Sequence, residues 1–308
     1  MLSLMIAALA AAAVPMTVPG PQGEIAGTFV DAGPGAPVVL IIPGSGPTDR
    51  DGNNPLGVKA APYRMLADAL AAKGVSTLRA DKRGMFGSKA AIPDANAVTI
   101  ADYAADAHNW IDALRKRTGA KCIWLLGHSE GGLVALAAAQ RPEGLCGLIL
   151  VASPGRKLGI IIREQLQANP ANAPLLPPAM AALQSLAAGE AVDTSAMPAP
   201  LLALFSPKVQ PFLIDLLHQD PVAMARATEL PMLIIRGGKD IQVAAADAEA
   251  LHAARPDARL LAPPNMNHVL KDVAGDDRAS NLATYADPDL PIDGSLVDGI
   301  AAFVKSRR

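Results

Sequence analysis

Aromatic residues are scarce in this chain of 308 residues, because Phe, Trp and Tyr together make up only 3% of it. The chain also has no large excess of positive or negative charge. Its 27 Lys and Arg are interspersed with 29 Asp and Glu, for a formal net charge of −2. Proteins that bind nucleic acid usually carry a basic surface and side chains that stack on bases. We therefore expect no nucleic-acid partner.

Motifs that hold metals or phosphates are missing as well. The two cysteines and five histidines form no cluster with the spacing of zinc ligands, and no H-E-x-x-H sequence occurs. No Gly-Lys-Ser/Thr phosphate-binding loop is present either. We expect the protein to work without a metal or a cofactor.

The N-terminal apolar run, residues 1–15, is too short to cross a bilayer as a helix but has the length of a signal-peptide core. It contains no Lys or Arg, and small residues at Ala11 and Ala13 suit a cleavage site. We expect residues 1–20 to be a signal peptide, with export to the periplasm or beyond and no stable membrane span. The alternatives are a hydrophobic N-terminal segment that stays attached, and a cytoplasmic location.

The most informative motif that is present is G-x-S-x-G at residues 127–131. It lies between a strand-like run, Cys122–Leu126, and a helix-like run, Leu133–Gln140. In that context the motif predicts a sharp turn that exposes the Ser129 hydroxyl as a nucleophile. It also places the backbone N–H of Glu130 at the start of a helix, where it can stabilise an oxyanion.

A serine hydroxyl needs a base to take its proton, and His268 is the best candidate. It lies in a proline-containing loop directly after the short apolar run Arg259–Leu261. The other four histidines are assigned to helices or to packing: His108, His128, His218 and His252.

Asp240 is the candidate for the acid that orients His268. It follows the apolar run Met232–Ile235 and a Gly-Gly turn, the position from which a carboxylate can hold an imidazole. The alternative role for Asp240 is to cap the next helix. The chain order Ser129, Asp240, His268 is the nucleophile, acid and base order of the α/β-hydrolases.

These residues resemble the serine α/β-hydrolase superfamily of esterases and lipases, in the branch of serine-aminopeptidase-like and dienelactone-hydrolase-like enzymes. The resemblance covers residues 24–305 and includes Val38–Pro47, a strand and loop that carries proline where such enzymes usually carry histidine before glycine. It implies that the backbone N–H of Ser45, with Gly46 as the alternative, is the second oxyanion donor. Residues 81–88 are similar to the Arg-Gly-x-Gly-x-Ser loop of these enzymes, with one residue inserted before Gly87.

Strand and helix patterns alternate along the chain, which predicts an α/β-hydrolase fold with a mostly parallel central sheet flanked by helices. Strands are predicted at 27–30, 38–42, 75–79, 122–126, 148–151, 232–235 and 259–261. Helices are predicted at 63–73, 101–117, 133–140, 244–254 and 295–304.

The alternation stops between residues 154 and 230, where no strand is predicted and Ala, Leu, Met and Pro are abundant. We expect a core made of residues 21–153 and 231–308, with 154–230 as an inserted helical lid. Its apolar residues favour an ester substrate with a hydrophobic or short-to-medium acyl chain. The prolines favour short helices that can shift.

Cys122 begins one predicted strand and Cys146 lies at the start of the run that leads into the next, and these two strands are expected to be neighbours. A disulfide and a pair of buried thiols are both compatible with that placement.

The sequence therefore predicts a serine hydrolase that cleaves a small-molecule carboxylic ester through an acyl-enzyme intermediate. The alternatives are a peptidase or thioesterase with the same triad, and a non-catalytic protein that binds an apolar ligand. A peptidase would need a carboxylate for the substrate amino group, which Glu130 or Asp49 could supply. The polar loop at residues 49–54 is either a recognition site or a turn held by Asx-type hydrogen bonds.

Overall fold

The central element is a twisted sheet, described in a computed structural model that covers residues 12–306. The strands are β1 (Ala13–Pro19), β2 (Glu24–Val30), β3 (Val38–Ile42), β4 (Ser76–Ala80), β5 (Ile123–His128), β6 (Leu145–Val151), β7 (Met232–Ile235) and β8 (Arg259–Leu261). Within the described residues they form one eight-stranded sheet in the order β1-β2-β4-β3-β5-β6-β7-β8. Strand β2 runs antiparallel to β1 and β4, and every other pairing is parallel.

Helices cover both faces of the sheet and connect its strands. They are α1 (Pro62–Ala72), α2 (Ile100–Thr118), α3 (Glu130–Ala138), α4 (Leu158–Gln167), α5 (Leu176–Ala187), α6 (Ala199–Phe205), α7 (Gln210–His218), α8 (Pro221–Ala227), α9 (Ala245–Ala254), α10 (Arg278–Ala283) and α11 (Gly294–Lys305). Short 3₁₀ turns lie at Phe86–Ala91, Pro170–Leu175 and Thr284–Ala286.

The core consists of two apolar layers, one on each face of the sheet. Successive residues of a strand point to opposite faces, so Leu40 and Leu125 pack under α2 and α3 whereas Ile41 and Leu126 pack under α1 and α11. Strands β3, β4 and β7 are buried along their whole length. A sheet covered on both faces holds the carboxyl ends of its parallel strands rigidly at one edge.

The predicted fold is confirmed, and each predicted strand and helix is present with ends shifted by at most three residues. Two elements were not predicted, β1 and α10. Strand β1 is mostly exposed and contains Pro15 and Pro19, which an edge strand tolerates because its outer N–H groups need no partner. The predicted N-terminal leader covers residues 1–20, of which residues 1–11 lie outside the described residues, whereas residues 13–19 form β1 and pair with β2.

Residues 154–230 contain helices α4 to α8 and none of the described strands. Helices α4 to α7 bury an apolar cluster of their own, with Leu186 and Phe205 fully buried. Within residues 12–306 no single helix is long and apolar enough to cross a membrane, although α6 and α7, bent by 67° relative to each other, reach that length and composition together. We call residues 154–230 the helical insertion.

Cys122 and Cys146 form a disulfide, so the structure decides between the two alternatives that the sequence left open. Cys122 directly precedes β5 and Cys146 lies in the neighbouring strand β6, with a Cα–Cα distance of 5.0 Å. The bond closes a loop of 24 positions that contains the whole turn from β5 through α3 to β6.

Replacing both cysteines, Cys122→Ala with Cys146→Ala, should lower the free energy of unfolding by about 3 kcal/mol, since the unfolded chain regains the freedom of that loop. Urea unfolding of wild type and variant, with and without reductant, measures this difference. Reductant should shift the wild-type midpoint to that of the variant and leave the variant unchanged. Equal wild-type midpoints in both conditions would contradict the disulfide.

Candidate active site

Ser129 lies at the turn between β5 and α3, in the conformation of a sharp elbow. Its backbone has φ 52° and ψ −124°, which residues with a side chain rarely adopt. The Ser129 N–H donates to the carbonyl of Val151 in β6 at 2.9 Å, and the Gly132 N–H donates to the Ser129 carbonyl at 2.8 Å. These bonds fix the turn from both sides, so the hydroxyl has a defined position at the carboxyl edge of the sheet.

The two glycines of the motif are required by the close packing of the elbow. A Cβ atom at Gly127 would lie 2.1 Å from the carbonyl oxygen of Gly131, and one at Gly131 would lie 2.4 Å from that of Ile42. Contacts this short with backbone atoms cannot be relieved by moving a side chain. The motif spacing is therefore what allows α3 to start directly against β3 and β5.

Asp240 and His268 lie next to each other, as the sequence predicts. His268 Nδ1 is 2.9 Å from Asp240 Oδ2, and both side chains are buried. Asp240 Oδ1 accepts the backbone N–H groups of Gln242 at 2.8 Å and Val243 at 3.0 Å. Burial on its own raises the pKa of Asp240, but His268 and these two N–H groups outweigh it, so the pKa is lowered. Asp240 is thus held as a carboxylate that orients the imidazole.

The loop that carries His268 is anchored by its neighbour Asn267, whose role the sequence did not reveal. The buried Asn267 amide donates to Thr284 Oγ1 at 2.6 Å and Asn281 Oδ1 at 3.2 Å, and its Oδ1 accepts the N–H of Lys271 at 3.1 Å. His268 and Ser129 line the same small cavity. Among the described residues, no hydrogen bond joins the Ser129 hydroxyl to His268 Nε2.

A buried chain of hydrogen bonds runs through His128 and joins two loops of the site. The Gly44 N–H donates to the Tyr63 hydroxyl at 3.1 Å, and that oxygen is 2.7 Å from His128 Nδ1. His128 Nε2 is 2.9 Å from the His268 carbonyl oxygen and must donate to it, which leaves Nδ1 as the acceptor for Tyr63. Burial lowers the pKa of His128 to about 3, so the ring is neutral. His128 is the packing residue that the sequence predicts, with both ring nitrogens bonded.

Ser45 and Gly46, the two candidates for the second oxyanion donor, follow Gly44 at the carboxyl end of β3 and lie beside Ser129. The Lys82 ammonium group donates to the Gly44 carbonyl at 2.8 Å. That carbonyl and the Ser45 N–H belong to one planar trans peptide and point in opposite directions. Lys82 therefore fixes the direction of the Ser45 N–H. Glu130 supplies the other candidate N–H from the first turn of α3, where helix N–H groups lack intrahelical acceptors.

The Glu130 side chain is buried against Lys82. Its Oε1 is 3.5 Å from Lys82 Nζ, and only 8% of the Glu130 side chain and 5% of the Lys82 side chain are exposed. Lys82 Nζ also lies 5.6 Å from the centre of the Tyr103 ring. The Glu130 carboxylate thus already has a cationic partner within the protein.

The polar loop at residues 49–54 is a turn held by side-chain hydrogen bonds. Asp49 Oδ1 accepts the N–H groups of Asp51 at 2.9 Å and Asn53 at 2.8 Å. Arg50 is paired with Asp81 at 2.5 Å, and Asp51 with Arg79 at 2.9 Å. The contacts of Asp49 are those of an Asx-type turn, one of the two interpretations that the sequence allowed, and the two ion pairs tie this turn to β4 and the residue after it.

The loop at residues 81–88 is tied to the body of the protein through its arginine and its first aspartate. Arg83 makes a pair of bonds to Asp106 in α2, at 2.6 and 2.7 Å, and a third to Asp102 at 3.0 Å. Asp81 Oδ2 accepts the N–H of Gly87, beyond the inserted residue, at 3.0 Å. The loop thereby holds Lys82 against Gly44.

Two cavities meet at Ser129. The larger has a volume of about 590 Å³ and extends under the helical insertion. Its wall is mostly apolar, and α4 and α7 contribute six apolar side chains: Leu158, Ile161, Ile162, Phe212, Leu213 and Leu216. The smaller cavity has a volume of about 140 Å³ and a more polar wall, including Thr48, Asn54, Gln242, His268 and Tyr285.

Within residues 12–306, no group of three or more His, Cys, Asp or Glu side chains is placed to hold a metal ion. The absence of a metal and a cofactor stays a prediction from the sequence.

The strand order, the crossover helices and the elbow after β5 define an α/β-hydrolase fold. Solved structures with this fold include an esterase of Pyrococcus furiosus, with a TM-score of 0.60 and 15% identity, covering 96% of this chain and 93% of that one. A thermophilic esterase of Thermogutta terrifontis has a TM-score of 0.57 and 21% identity, covering 96% of this chain and 99% of that one. At these identities the likeness concerns the fold.

Residues 56–271 match the family described as serine aminopeptidase, S33, and the chain belongs to this family. Among curated proteins, esterase EstD of Thermotoga maritima is 28% identical over 297 residues. The match covers 94% of this chain but 66% of EstD, so the chain spans slightly less than two thirds of that relative's length.

The neutral state of His128 predicts a pH dependence of stability. Because its folded pKa of about 3 lies below the ordinary value of 6.5, the unfolded chain binds a proton that the folded protein excludes. Stability is then complete above pH 6.5 and falls as the pH drops towards 3. Between pH 7.5 and 5, wild type should lose about 2 kcal/mol more than His128→Gln.

Urea unfolding at several pH values tests this expectation. Glutamine can accept from Tyr63 and donate to the His268 carbonyl but does not titrate, and all other groups are common to both proteins. Parallel loss of stability in the two proteins would contradict a neutral, buried His128.

Proposed function

We propose that the protein is a serine esterase that cleaves carboxylic esters with an apolar acyl chain. The observation that carries the proposal is the position of Ser129. It lies on a strained elbow at the junction of two cavities, and the smaller cavity is also lined by His268, whose ring Asp240 orients. The esterase names of EstD and of the structural neighbours support it.

In the proposed reaction the Ser129 hydroxyl attacks the ester carbonyl carbon while His268 Nε2 takes its proton. Asp240 keeps Nδ1 protonated and stabilises the imidazolium that forms. The tetrahedral intermediate then expels the alcohol, which receives the proton from His268. Water, activated by the same imidazole, attacks the acyl-enzyme and releases the acid.

The developing negative charge on the carbonyl oxygen needs donors that are in place beforehand. We assign this role to the backbone N–H groups of Ser45 and Glu130, with Gly46 as the alternative to Ser45. The bond from Lys82 to the Gly44 carbonyl supports Ser45, since it directs the N–H of the same peptide away from Lys82. A cation on that carbonyl also polarises the peptide and strengthens its N–H as a donor.

The acyl chain is assigned to the larger cavity, whose apolar wall comes mainly from the helical insertion. In this proposal the insertion acts as a lid, because removing its helices would open the acyl site to water.

Peptidase activity fits the site less well, although the family description names aminopeptidases. An α-amino group in the substrate requires an unpaired carboxylate beside the cleavage point. The Glu130 carboxylate is paired with Lys82, and the Asp49 carboxylate holds the backbone of its own turn. Neither carboxylate is left for a substrate.

We also propose that the protein is exported. One support is the signal-peptide pattern of the apolar run at residues 1–15, since cleavage after Ala13 would keep residues 14–19 of β1 in the sheet; the Cys122–Cys146 disulfide is the other. Structural disulfides persist in oxidising compartments and are rare in a reducing cytoplasm.

The esterase proposal predicts that Ser129→Ala lowers kcat by about 10³-fold or more on ethyl esters from acetate to dodecanoate, because no nucleophile remains. Acid release at constant pH measures the rates. Ser153→Ala is the matched control, since Ser153 lies at the end of the adjacent strand β6 and its hydroxyl bonds backbone carbonyls. It should keep its rate within a few-fold of wild type.

An undiminished rate in Ser129→Ala would contradict the mechanism. A wild-type protein that is inert on every ester would contradict the function.

The oxyanion assignment predicts that Lys82→Met lowers kcat on ethyl octanoate by at least about tenfold with little change in KM, because the Ser45 N–H acts mainly in the transition state. Lys82→Arg, which keeps a charged donor, should lose less. Lys82→Met also leaves Glu130 buried without a partner, which destabilises the fold. The double variant with Glu130→Gln removes that charge and should still show the loss in kcat. Wild-type kcat in the double variant would refute the role of Lys82.

A further inference from the structure

The two cavities at Ser129 differ in chemistry, and this difference identifies the alcohol half of the substrate. The inference rests on the proposed esterase function. An ester bound at Ser129 places its acyl chain and its alcohol on opposite sides of the carbonyl carbon. The larger cavity is mostly apolar and the smaller has the more polar wall, so each half of the ester meets a different wall.

The position of His268 decides which half enters which cavity. The alcohol oxygen leaves with a proton from His268 Nε2, so the alcohol must lie on the histidine side of the site. His268 lines the smaller cavity and is not among the residues that line the larger one. The alcohol therefore occupies the smaller cavity and the acyl chain the larger.

The smaller cavity can satisfy a second hydroxyl group on that alcohol. Gln242 Nε2 donates to the Tyr285 hydroxyl at 2.9 Å. This bond leaves the phenol proton as a donor and the amide oxygen as an acceptor, and among the described residues neither has another partner. If the amide is turned over, the pair still offers one donor and one acceptor. A hydroxyl needs both.

Thr48 and Asn54, two other polar residues of this wall, are already bonded within the protein. Thr48 Oγ1 donates to the Ser45 carbonyl at 2.9 Å and accepts from Asn54 Nδ2 at 3.3 Å. Asn54 Oδ1 accepts the N–H of Leu56 at 2.8 Å. Thr48 and Asn54 thus give the cavity a polar surface, while Tyr285 and Gln242 form a hydrogen-bonded pair that keeps one donor and one acceptor for recognition.

We propose that the natural substrates are esters of an apolar acid with a short alcohol that carries a further hydroxyl group, bound by Tyr285 and Gln242. The volume of about 140 Å³ suits a short alcohol of a few heavy atoms. A larger alcohol would not fit, and a purely apolar one would displace water from the Tyr285–Gln242 pair without replacing its hydrogen bonds.

Two nearly isosteric esters test the proposal: 2-hydroxyethyl octanoate and n-propyl octanoate, which differ by a hydroxyl in place of a methyl group. Both compete in one reaction, and the ratio of their kcat/KM values is measured by chromatography of the remaining esters. Wild type should favour the hydroxyethyl ester on the order of tenfold. A cavity without specific hydrogen bonds would favour the more apolar propyl ester by a few-fold.

The variant Tyr285→Phe with Gln242→Leu should bring the ratio to one or below. Leu204→Ala is the matched control, because Leu204 lines only the larger cavity and should leave the ratio unchanged whatever it does to the rates. Partial unfolding of a variant cancels in the ratio, since both esters compete for the same protein.

A wild-type ratio of one or less, with both esters hydrolysed, would overturn the inference and leave the esterase function standing. A high ratio that survives the loss of both side chains would also overturn it. Failure of the proposed function would appear differently, as no hydrolysis of any ester, and the inference would fail with it.

Discussion

The site depends on one buried chain of hydrogen bonds, from the Gly44 N–H through Tyr63 and His128 to the carbonyl of His268. It ties the loop after β3 to the loop after β8, and these two strands are not neighbours in the sheet. The chain requires His128 to be neutral, with Nε2 as donor and Nδ1 as acceptor. A second proton on this ring would break the bond from Tyr63 and place a charge 4.8 Å, centre to centre, from the His268 ring.

The rest of the site is arranged around these two loops. Lys82 holds the Gly44 carbonyl from one side, Asn267 holds the histidine loop from the other, and the elbow brings Ser129 between them. Each anchor is buried, so the side chains that face the cavities need little rearrangement before a substrate binds. The helical insertion adds an apolar wall without supplying any of these anchors.

The sequence predicts the fold and the positions of Ser129, Asp240 and His268 because each signal is local: a strand-like run followed by a turn. Their contribution to catalysis stays a prediction. Tyr63, Lys82 and Asn267 could not be found in this way, since their roles depend on distant partners. Tyr63 is 65 positions from His128, and Lys82 is 38 from Gly44. Strand β1 was missed because its apolar, proline-containing sequence equally suits a leader segment.

Gln242 serves two sites at once. Its backbone N–H holds Asp240, while its side chain bonds to Tyr285 and borders both cavities. Under the proposed assignment of the two cavities, a substitution here would change the surroundings of the acyl chain and of the alcohol together. During divergence of related enzymes, preferences for the two halves of an ester would therefore change jointly at this position, whereas positions such as Leu213 or Tyr285 allow one half to change alone.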